Sequence, residues 1–153
     1  MMVSGMEGEN LAYWLVKTEP EQYSYFDLVR LGRDRWNGVR NLRAIKYMKG
    51  MTPGDQVFIY HTGKEKAIVG VAEVVSIPYP DPETGDPKFM VVDLAPCYPL
   101  PKTVTLKGIK QNPFFGEWQL VLEPRLSVMP VKSEYWKLVL QLAGVGNEKY
   151  IGV

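Results

Sequence analysis

The stretch QVFIYHTGKEKAIVGVAEVVSI, residues 56–77, decides the class of fold that this chain adopts. Residues 57–60, VFIY, place apolar side chains on both sides of an extended segment, which is typical of a strand in the middle of a sheet. A short polar connection at 63–66, GKEK, leads into a second, valine-rich strand expected over Ala67 to Ile77. The sequence therefore predicts an antiparallel hairpin at the centre of a β-sheet.

Further strands are expected on both sides of this hairpin. Residues 12–17, 89–94 and 126–131 carry the branched and aromatic side chains that strands favour. Several strands at hairpin spacing indicate a closed antiparallel sheet. The strand pattern weakens beyond Pro96, so Cys97 is expected in a loop. With the helices described next, the prediction is an α+β fold, an antiparallel β-barrel of about five to six strands flanked by helices.

Helix-start signals lie between and after these strands. Ser24 and Asp27 have the spacing of a capping box, and Asn41 can cap a second helix. A short helix is expected at 106–110, and Ser133 can cap a terminal helix. On the second helix, the cations at 43, 46 and 49 share one face, while Leu42 and Ile45 are expected on the buried face.

Composition limits the classes of protein that this chain can be. The 153 residues, 46% of them hydrophobic, suit one core, so we expect a single domain over 11–144 with a flexible lead-in at 1–10 and a tail at 145–153. The sequence contains neither a membrane-spanning apolar run nor a signal-peptide pattern, which predicts a soluble intracellular protein without membrane association, cytoplasmic in a prokaryote. One cysteine and one histidine do not suit a zinc site, so we expect no metal and no cofactor.

Charge is concentrated in one segment although the net charge is only +1. Seven cations lie between residues 30 and 49 against one acid, Asp34. These cations are Arg30, Arg33, Arg35, Arg40, Arg43, Lys46 and Lys49. One interpretation is a patch that binds nucleic-acid phosphates, and the other is an ordinary solvated face.

The segment WNGVRN, residues 36–41, combines unusual features within this basic region. We expect Trp36 in a loop, where its flat face is available for stacking, with Gly38 allowing close approach of a ligand. Arg40 precedes a helix start, where backbone N–H groups favour an anion. These features suit a stacked base and its phosphate, although the alternative that Trp36 is a core residue remains open.

Several motifs in order resemble one known family. They are WLVKTEP at 14–20, WNGVRN at 36–41, MTPGD at 51–55, YH at 60–61 and RLS at 125–127. This order resembles the EVE domain family of the PUA-like superfamily, over about residues 13–142. Members are PUA-like barrels flanked by helices and similar to the YTH domains that bind methylated adenine.

The resemblance implies a protein that reads a modified base, modified cytosine in DNA, without changing it. The partner is then nucleic acid, modified DNA with RNA as the lesser possibility. The implied base-pocket residues are Lys17, Thr18, Trp36, Val39, Asn41, Tyr60, His61, Thr62, Phe89 and Ser127. Phosphate binding is expected from Arg40, Arg43, Lys46 and Arg125.

Two positions depart from the family pattern and leave the identity of the modified base open. Thr62 stands where relatives commonly have serine, and Phe89 stands where many have tryptophan. Phenylalanine offers less stacking area and no indole donor.

Two other functions compete with the base reader. An RNA-binding accessory module is possible because PUA-like folds often serve RNA, and the sequence alone does not separate the two nucleic acids. A small hydrolase is the other, with His61 activating Cys97 or Ser127, or with the carboxylates of Glu19 and Asp27.

Overall fold

A computed structural model describes residues 11–145 of the chain. Within that range the chain forms seven strands, five α-helices and one turn of 3₁₀ helix at Pro113–Phe115. The strands are β1 (Tyr13–Thr18), β2 (Asp34–Trp36), β3 (Gln56–His61), β4 (Ala67–Val74), β5 (Tyr79–Pro80), β6 (Met90–Thr105) and β7 (Val128–Pro130). The α-helices are α1 (Tyr25–Leu31), α2 (Leu42–Lys49), α3 (Leu106–Lys110), α4 (Gln119–Leu122) and α5 (Ser133–Leu142). The expected lead-in at 1–10 and nearly all of the expected tail lie outside the described residues.

The sheet is curled and mixed, with the strand order β2-β6-β4-β3-β1-β7 and β5 paired to β6. The predicted α+β fold is confirmed. Two details of the prediction are wrong: β1 and β3 run parallel, with Thr18 beside His61, and the sheet has two unpaired ends, β2 and β7, so it forms a half-barrel. The parallel pair is possible because a long excursion containing α1, β2 and α2 separates the two strands.

The hairpin of β3 and β4 lies at the centre, as predicted. β3 pairs with β1 on one side and β4 on the other, and residues Val57–His61 are all buried. Helix α5 covers this centre, because the Trp136 ring stacks on Phe58 at a centroid distance of 3.7 Å. Burial of each such side chain contributes about 1.5–3 kcal/mol. Ser133 is the first residue of α5 and not its cap.

Strand β6 is much longer than predicted and runs through the proline-rich segment. Its pairing with β4 shifts register twice, between Ile68 and Gly70 and between Val71 and Ala72. A proline lacks the N–H that a regular ladder needs, and such irregularities accommodate it. Cys97 therefore lies on a strand and not in a loop.

Helix α1 begins with the predicted capping box. Ser24 Oγ accepts from Asp27 N, and Asp27 Oδ2 accepts from Ser24 N. Tyr25 then packs on the sheet at Gly70, where a Cβ would lie 2.6 Å from the tyrosine ring. Gly70 is therefore needed for α1 to approach β4, and this contact fixes the segment that leads into the candidate site.

Helix α2 begins at the predicted cap, because Asn41 Oδ1 accepts from Ala44 N at 3.0 Å. Its buried residues are Ala44, Ile45 and Met48. Leu42 is 70% exposed, so its predicted burial is wrong. It lies in the first turn, where the helix enters from the surface loop.

No helix in residues 11–145 has the length and apolar character needed to cross a membrane.

Candidate nucleic-acid interface

A surface hollow of about 350 Å³ opens where β1 and β2 end and where the chain enters β7. Its lining residues are Lys17, Thr18, Tyr23, Asp34, Arg35, Trp36, Asn37, Gly38, Val39, Arg40, Glu83 and Ser127. We call this the Trp36 hollow. The volume lies at the small end of the range for ligand sites, about 300–1,000 Å³, and suits one ring system.

Trp36 is the last residue of β2, so its expected position in a loop is wrong. It pairs with Val92 of β6, and only 6% of the residue is exposed. The Tyr23 and Trp36 rings pack edge to face at a centroid distance of 5.8 Å and an interplanar angle of 82°. Trp36 is therefore part of the core and also a wall of the hollow, which combines the two interpretations that the sequence left open.

A chain of hydrogen bonds fixes the polar side of the hollow. Thr18 Oγ1 donates to the Tyr23 carbonyl at 2.6 Å, and Tyr23 Oη donates to Asp34 Oδ2 at 2.7 Å. Burial, and next the hydrogen bond to Asp34, raise the pKa of Tyr23, so its phenol keeps its proton. The Asp34 carboxylate, whose Oδ1 accepts from Arg35 N, retains lone pairs for a further donor.

Lys17 contributes a positive charge to the lining of the hollow. Its Nζ donates to the Pro124 carbonyl at 2.9 Å and lies 5.5 Å from the centroid of the Tyr60 ring. Desolvation lowers the pKa of Lys17. Two of the three ammonium donors remain available to a ligand, because the structure records one hydrogen bond from this group. Ser127 adjoins it, and its carbonyl accepts from Lys17 N.

The loop of residues 37–40 closes the third side. Gly38 has a φ of +83°, a conformation that other residues rarely adopt. Arg40 is exposed, and its guanidinium lies 4.7 Å from the centroid of the Phe89 ring. Phe89 therefore orients a cation at the rim and does not line the hollow itself.

A second hollow of about 360 Å³ lies beside the first. Its lining residues are Asn41, Arg43, Glu123, Pro124, Arg125 and Leu126. Arg43 is ion-paired with Glu123 across it. This hollow therefore contains two of the residues expected to bind phosphate, and one of them is already neutralised.

Ion pairs neutralise much of the basic segment that the sequence indicated. Arg30, Arg33, Arg35 and Arg43 pair with Asp27, Asp93, Glu83 and Glu123, respectively. Within residues 11–145, Arg40, Lys46 and Lys49 form no ion pair. The free positive charge near the Trp36 hollow is thus smaller than the sequence suggested.

The structure brings together six of the residues expected at the site: Lys17, Thr18, Trp36, Val39, Arg40 and Ser127. Asn41, Arg43 and Arg125 line the second hollow, and Lys46 is exposed on α2 without lining either. Tyr60 and Thr62 lie behind the lining, because Tyr60 lies beneath Lys17 and Thr62 N donates to the Thr18 carbonyl. Phe89 lies at the rim beside Arg40.

His61 is also outside the hollow. Its ring is 2% exposed, Nε2 accepts from Tyr25 N at 3.0 Å, and Nδ1 lies 2.8 Å from Glu65 Oε1. The histidine therefore connects the end of β3 to the start of α1.

Six lining residues were not among the expected base-pocket and phosphate-binding residues: Tyr23, Asp34, Arg35, Asn37, Gly38 and Glu83. Asn37 and Gly38 belong to the WNGVRN segment that the sequence analysis singled out. Asp34 carried a signal, because it is the one acid within the basic segment. Tyr23 follows the KTEP run by three residues, but nothing in the sequence shows that its hydroxyl meets Asp34. Glu83 reaches the hollow from the excursion between β4 and β6, which only the tertiary structure reveals.

Comparisons with known proteins agree with this architecture. A solved structure from Rhodopseudomonas palustris is 43% identical, has a TM-score of 0.83, and the match covers 88% of this chain and 94% of that one. Thymocyte nuclear protein 1 of Mus musculus is 29% identical over 88% of this chain and 75% of its own length. The crystal structure of the human THYN1 protein in complex with DNA containing 5-methylcytosine is 26% identical, with a TM-score of 0.80 and coverage of 89% and 99%.

The family model described as "EVE domain" matches residues 12–142, which span β1 to the end of α5 and include every residue that lines the Trp36 hollow. The resemblance found in the sequence motifs is thereby confirmed, and the chain belongs to the EVE domain family.

Proposed function

We propose that this protein reads 5-methylcytosine in DNA by holding the base, turned out of the double helix, in the Trp36 hollow. The observation that carries the proposal is the composition of that hollow: a tryptophan wall, a carboxylate acceptor and a lysine donor around about 350 Å³. The human relative that was solved with DNA containing 5-methylcytosine supports the choice of ligand.

The base enters such a hollow only outside the base stack, because a duplex hides its faces and edges. Turning a nucleotide out costs a few kcal/mol. Stacking on an aromatic side chain returns about 1–3 kcal/mol per base, and Trp36 is the aromatic wall available for it. Tyr23 meets Trp36 edge-on and holds this wall in place, so the site is formed before the base arrives.

Polar groups on two sides of the hollow match the edge of cytosine. The exocyclic N4 amino group of cytosine is a donor, for which an aspartate is a suitable acceptor. Asp34 presents that carboxylate, and the Lys17 ammonium can donate to the ring acceptors O2 and N3.

The 5-methyl group adds a smaller contribution to recognition. Burial of one such group is worth about 0.8 kcal/mol, so methylation alone provides a modest preference. Val39 supplies apolar surface for it. Thymine carries the same methyl group but has a carbonyl at position 4, so Asp34 is the residue that rejects thymine.

Cations at the rim hold the DNA backbone without reading sequence. Arg40 is exposed, lies over Phe89 and has no ion pair within residues 11–145. Arg125, in the second hollow, is similarly exposed and unpaired among the described residues. In this proposal, Arg40 and Arg125 contact phosphates next to the extruded nucleotide.

We further propose that the protein binds the base without catalysing a reaction. Both ring nitrogens of His61 already have partners, so this residue does not activate a nucleophile in the observed arrangement. Desolvation, and next the charge of Glu73, raise the pKa of Cys97, which keeps the thiol protonated. Ser127 lines the hollow, but within residues 11–145 its hydroxyl makes no hydrogen bond to a general base, and its contact with Lys17 joins backbone N–H and carbonyl groups.

The test compares matched oligonucleotides that differ at one position. Duplex and single-stranded DNA and RNA carrying cytosine, 5-methylcytosine, 5-hydroxymethylcytosine or thymine are titrated at one salt concentration. We expect the strongest binding to DNA with 5-methylcytosine, and unchanged oligonucleotide masses after incubation. Equal affinity for all bases contradicts the base-reader proposal, stronger binding to RNA favours the accessory-module alternative, and a mass change contradicts the absence of catalysis.

A further inference from the structure

We propose that a second surface, formed by Lys64, Lys66, Lys107 and Lys110, contacts the phosphate backbone of the same DNA within about four base pairs of the extruded nucleotide. This inference rests on the proposed function. The four lysines line a third hollow, of about 540 Å³, together with Glu65, Thr105, Leu106 and Gln111. We call it the lysine hollow.

The ammonium groups of these four lysines are available to a ligand. All four residues are exposed, and within residues 11–145 none of their side chains takes part in an ion pair or a hydrogen bond. The one acid in the lining, Glu65, lies 2.8 Å from His61 Nδ1. Four unpaired cations around a concave surface attract a polyanion.

The lysine hollow is a fixed arrangement of two segments. Lys66 has a φ of +46°, the only positive φ outside glycine among the described residues. In this conformation its carbonyl accepts from Leu106 N at 2.8 Å, which joins the β3–β4 connection to the start of α3. Lys107 and Lys110 are three residues apart on α3 and so point to one side. Because the backbone is tied at this point, binding of DNA requires little ordering of the chain.

Sheet register places the lysine hollow at the same end of the molecule as the Trp36 hollow. Thr18 lies beside His61, His61 beside Ala67, and Ala67 beside Thr105. Thr18 lines the Trp36 hollow and Thr105 lines the lysine hollow, and the Cα atoms of these two residues are three strand spacings apart, at most about 14 Å. This backbone distance corresponds to at most about four base pairs of duplex DNA at about 3.4 Å per step.

The two basic regions of the molecule therefore differ in how many of their side-chain charges are free to bind a phosphate. The arginines at 30, 33, 35 and 43, which the sequence made conspicuous, are engaged in ion pairs. The lysine hollow is drawn from two segments about forty residues apart in sequence, and its charges are free. We infer that it supplies a larger part of the salt-dependent binding than the arginine-rich segment does.

The test replaces three of these lysines and follows the salt dependence of binding. The variant carries Lys64→Gln, Lys107→Gln and Lys110→Gln, and it leaves Lys66 in place because of its backbone conformation. The matched control carries Lys102→Gln, Lys132→Gln and Lys137→Gln, exposed lysines that line none of the three hollows. Both variants lose three positive charges, so a difference between their salt dependences of binding shows that the location of the lysines matters.

We expect the slope of log affinity against log salt to become shallower by up to about three in the lysine-hollow variant, about one for each lysine that no longer neutralises a phosphate. The control should keep the wild-type slope, and the preference for 5-methylcytosine should be the same in all three proteins. Duplexes shortened stepwise on either side of the modified base should weaken binding of the wild type, but not of the variant, when one arm falls below about four base pairs.

Each outcome distinguishes this inference from the proposed function. Equal slopes for the variant and the control, with the base preference retained, overturn the lysine surface and leave the base reader intact. A shallower slope in the variant, together with a wild type that shows no base preference, supports the surface and contradicts the base reader. Failure of the wild type to bind any duplex at low salt overturns both.

Discussion

Asp34→Asn is the substitution that tests the recognition of cytosine most directly. The carboxylate accepts from the Tyr23 hydroxyl at 2.7 Å and from Arg35 N at 2.8 Å, and it lines the Trp36 hollow. An asparagine in the same position keeps an oxygen for the Arg35 N–H. Its amino group can donate to the Tyr23 hydroxyl, which rotates to accept, so the loss of stability should be about 1 kcal/mol.

The effect on binding should be larger than this and specific to the base. A carboxylate that accepts from the N4 amino group of cytosine makes a charge-assisted hydrogen bond worth about 1.5–3 kcal/mol. An asparagine amino group meets that N4 amino group without an acceptor, but it can donate to O4 of thymine. The preference for 5-methylcytosine over thymine should therefore fall roughly 10- to 100-fold.

The assay uses two duplexes that differ only in the base opposite guanine, 5-methylcytosine or thymine. A thymine–guanine mismatch is easier to open than a cytosine–guanine pair, which favours the thymine duplex equally for every protein variant. This effect cancels when the 5-methylcytosine-to-thymine affinity ratio of a variant is divided by that of the wild type. Glu83→Gln is the control, because it removes a negative charge from the same hollow at an exposed rim position. Loss of one negative charge should strengthen the base-independent part of DNA binding to a similar extent in both variants, and only Asp34→Asn should change the base preference. An unchanged ratio in a folded Asp34→Asn protein would refute the role assigned to Asp34.

Three further substitutions test the surroundings of the site. Glu123→Gln should free Arg43 and steepen the salt dependence of DNA binding by about one unit, whereas an unchanged slope would show that Arg43 does not face the backbone. His61→Ala should lower the free energy of unfolding by about 1–3 kcal/mol, because the buried Tyr25 N–H loses its acceptor. The base preference should stay unchanged. Denaturant titration measures the first effect, and DNA binding by the same sample measures the second. Hydrogen bonds from the capping backbone N–H and from an arginine one turn away lower the pKa of Asp27 below 3.8. The stabilisation by the ionised Asp27 carboxylate is present above about pH 4 and is lost as the pH falls through the pKa of Asp27 in the folded protein. The Tm advantage of the wild type over Asp27→Asn should therefore shrink between neutral pH and about pH 3. A Tm difference that stays constant with pH would contradict this.

Local signals in the sequence predicted the parts of the fold that depend on neighbouring residues. The hairpin at 56–77 and the caps at Ser24 and Asn41 each need only a few residues in sequence to form, and the structure confirms them. The parallel pairing of β1 with β3 was missed because it depends on how a 37-residue excursion, residues 19–55, folds back. The length of β6 was missed because its prolines are tolerated only where the ladder with β4 shifts register.

The candidate site was predictable to the extent that its residues are adjacent in sequence. The segment at 36–40 and the end of β1 both line the hollow as the motifs suggested. Tyr60 and Thr62 were expected in the lining from the family resemblance, but they lie behind it and support Lys17 and Thr18. The ion pair of Arg43 with Glu123 joins residues 80 positions apart, so no local pattern indicates that this cation is neutralised.

Trp36 shows why burial and ligand binding are not alternatives in a small domain. A residue that is 6% exposed would ordinarily be assigned to the core. The hollow beside Trp36 nevertheless needs a rigid surface, and an aromatic side chain is rigid when the face turned away from the hollow is packed. Pairing with β6 and the edge-on contact with Tyr23 supply that packing. Removal of the indole would leave a cavity that costs about 3–5 kcal/mol and would also abolish stacking, so loss of binding in such a variant does not separate the two roles. Asp34 is partly exposed and can change its chemistry without leaving a void, and for that reason it is the better position at which to test recognition.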